Sequence, residues 1–367
     1  MTFNGENMTN LKHNLEELQQ IAKERTVKTQ TIEYDLETLV KKIKKNVIKL
    51  NPEYQRNHRW NDDTSSRLIE SLILNIPIPF IYISQDVDVD DEIDSESSRF
   101  SVIDGQQRLT AIYNFFENTF HLQGLEVLDK LNGSYYKDLP PFLIRRLEER
   151  SIRCLRIDST LDPQVKYDIF ERLNSGSVKL ESQELRNATC RGPFKDLVKK
   201  LAKNAHFIAA CKLTPDSSRV KKMEDEELVL RFFAINYNDS YKDYKGKFKN
   251  FLTSKMNTFN ELPTDKLSEM ERLFNETFEY IEDSNISFPF RKYRPIDTGL
   301  EKMSDFNAAV YDSITHLFIE SRKNGNKVTK EKIKNMFSDA AFFSACEGSV
   351  NDVSKLTYRI NKAKETA

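Results

Sequence analysis

The segment Asp104–Arg108, with the sequence DGQQR, brings a carboxylate, a glycine, two amides and a guanidinium together within five residues. The apolar residues at 100–103 predict a short buried strand, and those between 109 and 116 recur at helical spacing. A strand, a glycine turn and a helix start would direct several unpaired backbone N–H groups to one place. A phosphate suits such a turn, although a motif this short is more often an ordinary solvated turn.

Two further polar clusters interrupt the apolar pattern at the ends of predicted elements, where functional side chains concentrate. Tyr54, Gln55 and Arg56 form the first cluster, in a loop that also carries the only tryptophan. Arg172 and Asn174 belong to the second, at the end of a predicted helix. An arginine at a strand-to-helix junction, joined by another from a neighbouring loop, suits bidentate phosphate binding.

Several common enzyme motifs are missing from the sequence. It contains neither GxxxxGK[ST], the phosphate loop of many NTPases, nor the GxSxG nucleophile elbow. None of the five histidines pairs with a cysteine or another histidine at metal-ligand spacing. His58, in the polar loop, is the one histidine that stands among other functional candidates. Carboxylates are too numerous for a paired-carboxylate nuclease site to be excluded.

The composition is that of a globular protein without an overall charge. The chain has 367 residues, of which 31% are charged, and its net charge is −1. This balance argues against a uniformly basic nucleic-acid coat, but it leaves room for a local basic groove. The four widely spaced cysteines predict reduced, buried thiols in a cytoplasmic protein. No apolar run reaches the ~18 residues that a membrane span needs, so no membrane partner is expected.

The pattern predicts an α+β fold whose composition changes near residue 160. Residues 1–30 form a polar extension with a peripheral helix, residues 31–160 form a domain with short strands, and residues 161–367 form an α-helical domain. Aromatic stripes in the helical part, such as Phe232 with Phe233, are more typical of a bundle core than of a cofactor site.

The order of four segments resembles one protein family: YQR, LIESLILNIPIPFIYIS, FSVIDGQQRLTAIYNF and IFERLNSGSVKLESQELRNA. This is the bacterial DGQQR-motif family, whose domain forms the N-terminal part of GmrSD-type modification-dependent restriction enzymes. The later segments EDEELVLRFFA and FRKY resemble a shorter branch of it. The resemblance covers about residues 31–320.

The resemblance implies a ParB/sulfiredoxin-like fold with an NTP or phosphate site. Sulfiredoxin-like members carry a catalytic cysteine in the turn where this chain has Gln106 and Gln107, so a redox role is disfavoured. In restriction members the domain is implicated in nucleotide hydrolysis that controls a C-terminal HNH-type nuclease. Residues 305–367 hold a single histidine, His316, so HNH activity is not expected here.

These observations assign a hypothetical role to each residue of the turn. Backbone N–H groups around Gly105 would cradle phosphates that Arg108 and Arg56 neutralise. Gln106 or Gln107 would orient a water or the terminal phosphate. Asp104 would fix the turn or bind Mg²⁺ that arrives with an NTP, because Mg²⁺ commonly binds through phosphates plus one or two carboxylates. Tyr54, Gln55, Arg172 and Asn174 would complete the nucleotide site.

Two main functions remain open from the sequence, and a third, a direct nuclease that uses the first domain, is less favoured because no catalytic carboxylate set stands out. The first is a nucleotide-binding, NTP-hydrolysing regulatory protein that acts with DNA in restriction or anti-phage defence, alongside a separate nuclease subunit. The alternative is a non-enzymatic DNA- or partner-binding module, in which basic segments at 145–156 and 195–203 contact phosphates. DNA binding of that second kind should weaken steeply with salt.

Overall fold

This computed structural model describes residues 26–50, 60–85, 99–157, 163–173 and 181–367, together with six positions between 15 and 23. Most of the predicted N-terminal extension, residues 1–30, lies outside the described residues. The chain divides into two compact units, residues 1–180 and 181–367. The compositional change predicted near residue 160 precedes this division by one helix, which is counted with the first unit.

A mixed five-stranded sheet forms the centre of the first unit, in the order β1-β5-β3-β4-β2. The pairs β1–β5 and β3–β4 are antiparallel, whereas β5–β3 and β4–β2 are parallel. This sheet, followed along the chain by helices, confirms the predicted α+β class. The strands are β1 (Thr29–Asp35), β2 (Ile48–Lys49), β3 (Ile81–Gln85), β4 (Phe100–Asp104) and β5 (Ser151–Ile157).

Short polar residues cap the first two helices of the first unit. The Asp35 carboxylate accepts a hydrogen bond from the Thr38 backbone N–H at 2.7 Å, and the Asn61 side chain caps the next helix in the same way. Two short 3₁₀ turns, Asp129–Leu131 and Tyr136–Asp138, lie between the third and fourth helices. The helices are α1 (Leu36–Lys44), α2 (Asp62–Ile73), α3 (Gln106–Phe116), α4 (Pro141–Glu148) and α5 (Pro163–Leu173).

The segment on each side of the DGQQR turn is anchored in the core of the first unit. On β4, Val102 is fully buried, and on α3 Leu109, Ile112 and Phe115 are fully buried. All four belong to one apolar cluster with side chains of α1, α2 and β3. The turn between β4 and α3 is therefore held at both ends by packing.

The second unit is mainly helical, with one β-hairpin that the sequence pattern did not predict. The hairpin pairs β6 (Lys292–Ile296) with β7 (Gly299–Ser304). The longer helices are α6 (Ser182–Thr189), α7 (Pro193–Leu201), α10 (Glu224–Asn236), α11 (Phe248–Asn260), α12 (Thr264–Asp283), α13 (Ala308–Lys323), α14 (Lys330–Phe337) and α16 (Val353–Thr366). The shorter ones are α8 (Ala205–Cys211), α9 (Ser218–Lys221) and α15 (Ala340–Ala345).

Phenylalanine rings fill the core of the second unit. Phe232 and Phe233 are fully buried, and each lies within 6 Å of the Phe274 ring. Such tilted and edge-on ring pairs add stability beyond the area they bury. The interpretation of the aromatic stripes as core is confirmed.

The predicted burial of the cysteines is also confirmed: all four are free thiols in the interior. Burial raises the pKa of the Cys154 thiol to about 12, so it stays protonated at neutral pH. Across the part of the chain that the structure describes, no helix combines the length and apolarity that crossing a membrane requires.

Candidate functional site

Gly105 makes the turn between β4 and α3 possible. Its φ of +96° lies in the left-handed region, and it stands at the N-terminal cap position of α3. A Cβ atom at this position would lie 2.4 Å from the Cδ1 atom of Ile81, on the neighbouring strand β3. The backbone of the turn can approach the sheet this closely only because the residue is glycine.

The first turn of α3 leaves hydrogen-bonding capacity unused. Gly105 offers no side chain to cap the helix, so the helix dipole and the first N–H groups face the turn. Gln106 is 5% exposed, and its Oε1 atom is buried without a hydrogen-bond partner in the described part of the molecule. A buried oxygen without a donor is costly, which marks Gln106 as a residue that a ligand or water would satisfy.

Arg108 folds back over the turn. Its Nη2 atom donates to Asp104 Oδ2 at 2.7 Å, and its Nη1 atom donates to the carbonyl oxygen of Pro79. The Arg108 side chain is 11% exposed and that of Asp104 is 24% exposed. Burial lowers the pKa of the Arg108 guanidinium below its ordinary value, even though Asp104 opposes the shift. The carboxylate therefore compensates only part of the cost of burying this cation.

Gln107 has a different environment from Gln106. Its Oε1 atom accepts a hydrogen bond from the Trp60 backbone N–H at 3.1 Å. This contact ties the start of α3 to the segment that leads into α2. The two amides that were equivalent in the sequence are thus distinguished: the Gln107 oxygen has a protein donor and the Gln106 oxygen has none among the described residues.

The structure does not test the placement of the other predicted site residues. Tyr54, Gln55, Arg56 and Asn174, like His58, lie outside the described residues. Arg172 is exposed near the end of α5, a helix that runs beside β4. The assembly of these residues with the turn into one nucleotide site stays a prediction.

A metal at the turn would depend on a single carboxylate. Among the described residues, no three His, Cys, Asp or Glu side chains are grouped so that they could hold a metal ion. Asp104 Oδ2 already accepts from Arg108. This donor set does not fit a metal held by protein ligands alone, but it fits Mg²⁺ that keeps phosphate and water ligands and takes one carboxylate oxygen.

Sequence reasoning overlooked a buried polar network in the second unit. Arg186 is fully buried, and its Nη1 atom donates to Glu227 Oε2 at 2.8 Å and to Gln183 Oε1 at 3.0 Å. Asn187 Nδ2 donates to Glu226 Oε2 at 2.6 Å. The sequence feature that could have revealed this network is the spacing of Gln183, Arg186 and Asn187, which places three polar side chains on one helix face. Their complete burial makes them a brace between α6 and α10.

The sequence analysis also did not single out Glu70, which stabilises a loop of the first unit. This residue is 7% exposed, and its carboxylate accepts backbone hydrogen bonds from Val127 at 2.8 Å and Leu128 at 2.7 Å. Burial alone would raise the pKa of Glu70, but these hydrogen bonds outweigh it and lower the pKa. Glu70 thereby fixes the loop after α3 to α2, which packs against α3.

The comparison with protein families addresses the part of the chain that contains this turn. Residues 36–190 match the family model described as GmrSD restriction endonuclease, N-terminal domain. The predicted resemblance is confirmed for this segment. The match runs from α1 to the end of α6 and includes the whole segment Asp104–Arg108. No curated protein matches the chain.

Proposed function

We propose that this chain is a nucleotide-binding, NTP-hydrolysing regulatory protein that acts with DNA in restriction or phage defence. The match to the GmrSD N-terminal domain suggests the biological setting. One structural observation carries the biochemical proposal: α3 starts at a glycine without a side-chain cap, and the buried Gln106 oxygen beside it has no partner among the described residues.

The start of α3 supports phosphate binding. Its first N–H groups and the helix dipole favour an anion there. Arg108 adds a cation whose orientation is fixed beforehand by Asp104 and the Pro79 carbonyl. A guanidinium has five N–H donors, so these two contacts leave donors for phosphate oxygens. Because Asp104 compensates the buried charge only in part, an incoming anion would be stabilised.

Hydrolysis is assigned to Gln106 rather than Gln107. An attacking water can donate a hydrogen bond to the Gln106 oxygen, which would hold the water beside the terminal phosphate. The Gln107 oxygen instead accepts from Trp60, so we assign it to positioning the turn. Arg56, Arg172 and Asn174 would close the site around the nucleotide. Asp104 would hold Mg²⁺, which would offset phosphate charge.

Cleavage of DNA is assigned to a separate nuclease subunit. His316, the one histidine in residues 305–367, is 1% exposed, and its Nδ1 atom lies 2.7 Å from Asn236 Oδ1. Burial lowers the pKa of His316 to about 4. An enclosed, neutral imidazole in a helix core is unsuited to activating water for phosphodiester cleavage.

Titration of the full chain with each NTP and Mg²⁺ tests the proposal. Wild type should bind and slowly hydrolyse one or more NTPs, and Arg108→Ala should bind at least tenfold more weakly. Arg153→Ala is the matched control, since Arg153 is 63% exposed on β5 and pairs with Glu33. Circular dichroism checks that each variant is folded. Failure of every NTP to bind the wild type would overturn the proposal.

One observation favours the alternative function, a DNA- or partner-binding module without hydrolysis. Arg145 and Arg146 are exposed on α4, and neither has an ion-pair or hydrogen-bond partner among the described residues. Phe142, one turn away on the same helix, is 58% exposed. Free guanidinium groups beside an exposed ring suit phosphates and bases of nucleic acid.

A salt series without nucleotide separates the two functions. If α4 contacts DNA, Arg145→Ala with Arg146→Ala should weaken binding and flatten its dependence on salt. Lys41→Ala is the control, because Lys41 is an exposed cation paired with Glu37 on α1. DNA binding that needs α4, in a protein that binds no NTP, would favour the alternative.

A further inference from the structure

The two edges of the five-stranded sheet are very different. One edge is β2, which has only two residues, and the other is β1, which has seven. Natural proteins usually shorten or cover edge strands, because a long open edge can pair with another chain. At β1, residues 29–31 and Glu33 are exposed, so this edge is long and no segment among the described residues covers it.

The register of β1 on β5 shows which backbone groups face outward. The Leu36 N–H donates to the Arg150 carbonyl, and the strand pairing continues this register from Asp35 opposite Ser151. Even-numbered residues of β1 therefore bond to β5, and Thr31 and Glu33 point their N–H and C=O groups away. These outward groups have no hydrogen-bond partner among the described residues.

The side chains of β1 also suggest a missing neighbour. Ile32 lies opposite Cys154 and Tyr34 lies opposite Ile152, on the face of the sheet where both partners are buried. Ile32 and Tyr34 themselves remain only half-buried. A further strand beside β1 would cover them and would satisfy the open backbone groups.

We propose that β1 pairs antiparallel with β1 of a second copy of this chain, which would join two five-stranded sheets into one of ten strands. The twofold axis passes at Ile32, so that Ile32 lies opposite the partner subunit's Ile32. Thr31 then lies opposite the partner subunit's Glu33, which gives a hydroxyl–carboxylate pair. Opposed β-branched and hydrogen-bonding pairs stabilise a sheet.

Other symmetric registers are less favourable. An axis at Glu33 would set Glu33 against the partner subunit's Glu33, and like charges opposed across strands are destabilising. An axis at Thr31 would set Ile32 against the partner subunit's Gln30 and leave its apolar surface poorly covered. Among these three registers β1 complements itself best with the axis at Ile32, and this self-complementarity supports a second copy as the occupant.

The interface should be reversible and independent of nucleotide binding. One added strand of seven residues contributes a small contact compared with the ~1,200–2,000 Å² of a standard protein interface. We therefore expect monomer and dimer to exchange as the concentration of the full chain is changed.

Sedimentation velocity of the full chain over a range of concentrations tests the proposal with two variants. Thr31→Pro removes an outward N–H without removing a bond to β5, which an edge strand tolerates. Thr31→Val keeps the N–H and is the matched control. Wild type and Thr31→Val should dimerise with rising concentration, whereas Thr31→Pro should stay monomeric with unchanged circular dichroism.

Two results would overturn the proposal: a wild type that is monomeric throughout, or a dimer that Thr31→Pro leaves intact. Hydrogen exchange gives an independent readout. The amides of Thr31 and Glu33 should exchange rapidly in dilute protein and slow down together as the dimer forms. Slow exchange at every concentration would mean that another segment covers β1, which would contradict a second copy as its occupant.

Discussion

Two arginine–aspartate pairs, one in each unit, have similar bond lengths and different surroundings. Arg108 and Asp104 lie 2.7 Å apart at the end of a strand, with side chains 11% and 24% exposed. Arg231 and Asp312 make two hydrogen bonds of 3.0 and 2.5 Å between α10 and α13, with side chains 8% and 0% exposed. The Phe248 ring also lies against Arg231, with its centroid 4.4 Å from the guanidinium.

The balance between burial and charge differs between the pairs. Burial would lower the pKa of both arginines. For Arg231, Asp312 and Glu227 outweigh burial and raise the pKa, whereas for Arg108 burial prevails and the pKa is lowered. The interior pair is therefore complete without a ligand, and the pair at the turn would gain from an added anion. An arginine whose buried charge is only partly compensated by neighbouring carboxylates is the better candidate for binding an anion.

The largest expected effect is the loss of the interior carboxylate. Asp312→Ala would leave Arg231 without its partner and would also remove the carboxylate 3.6 Å from the fully buried Arg359. Removing one partner of a buried ion pair typically costs about 3–5 kcal/mol, so urea unfolding should show a loss of this size. Asp305→Ala is the control: Asp305 pairs with Arg291 at the surface, and its removal should change stability little. Equal effects of the two changes would contradict the distinction.

A smaller effect is expected from acid in the same helix core. His316, one turn after Asp312, has its pKa lowered from 6.5 to about 4, first by burial and then by Lys364. Below pH 6.5 His316 is protonated in the unfolded chain but stays neutral in the folded chain. The free energy of unfolding therefore falls as pH drops from 6.5 to 4. A shift of this size corresponds to about 3 kcal/mol over that window. Unfolding of wild type and His316→Gln at several pH values measures it. A pH dependence unchanged in the variant would contradict the lowered pKa of His316.

The turn offers a matched pair of glycine substitutions. Gly105→Ala and Gly133→Ala both place a Cβ at positive φ, +96° and +87°, but only at Gly105 does the Cβ meet another atom, Ile81 Cδ1 at 2.4 Å. The left-handed conformation costs about 1–2 kcal/mol at either position, and the clash adds about 1–3 kcal/mol at Gly105. Thermal unfolding compares them. If Gly133→Ala is equally destabilised, close packing against β3 does not define the turn.

The sequence was sufficient to locate the turn but not its internal contacts. The buried residues of β4 and the helical spacing after it placed the strand, Gly105 and α3 correctly, because both signals are local. The ties from Arg108 to the Pro79 carbonyl and from Gln107 to Trp60 depend on how distant segments pack. No spacing within the sequence shows which of two adjacent glutamines will find a donor.

The buried network was missed for a related reason. Arg231 and Asp312 are 81 residues apart, so nothing local reveals that they pair. Arg186 and Asn187 could have been noticed, since they share a helix face with Gln183, but charged residues on a helix are usually a solvated face. The β6–β7 hairpin also escaped prediction, because its strands carry mainly polar, exposed side chains.

Gln106 provides the most direct test of the claim that the turn binds a nucleotide. Gln106→Leu removes an oxygen that has no partner among the described residues and places an apolar side chain of similar size in this buried position. The thermal midpoint without ligand should therefore stay equal or rise. Addition of the NTP that the wild type binds, with Mg²⁺, should raise the midpoint of the wild type, and hydrolysis should be lost in the variant. A variant that hydrolyses NTP at the wild-type rate would contradict the account.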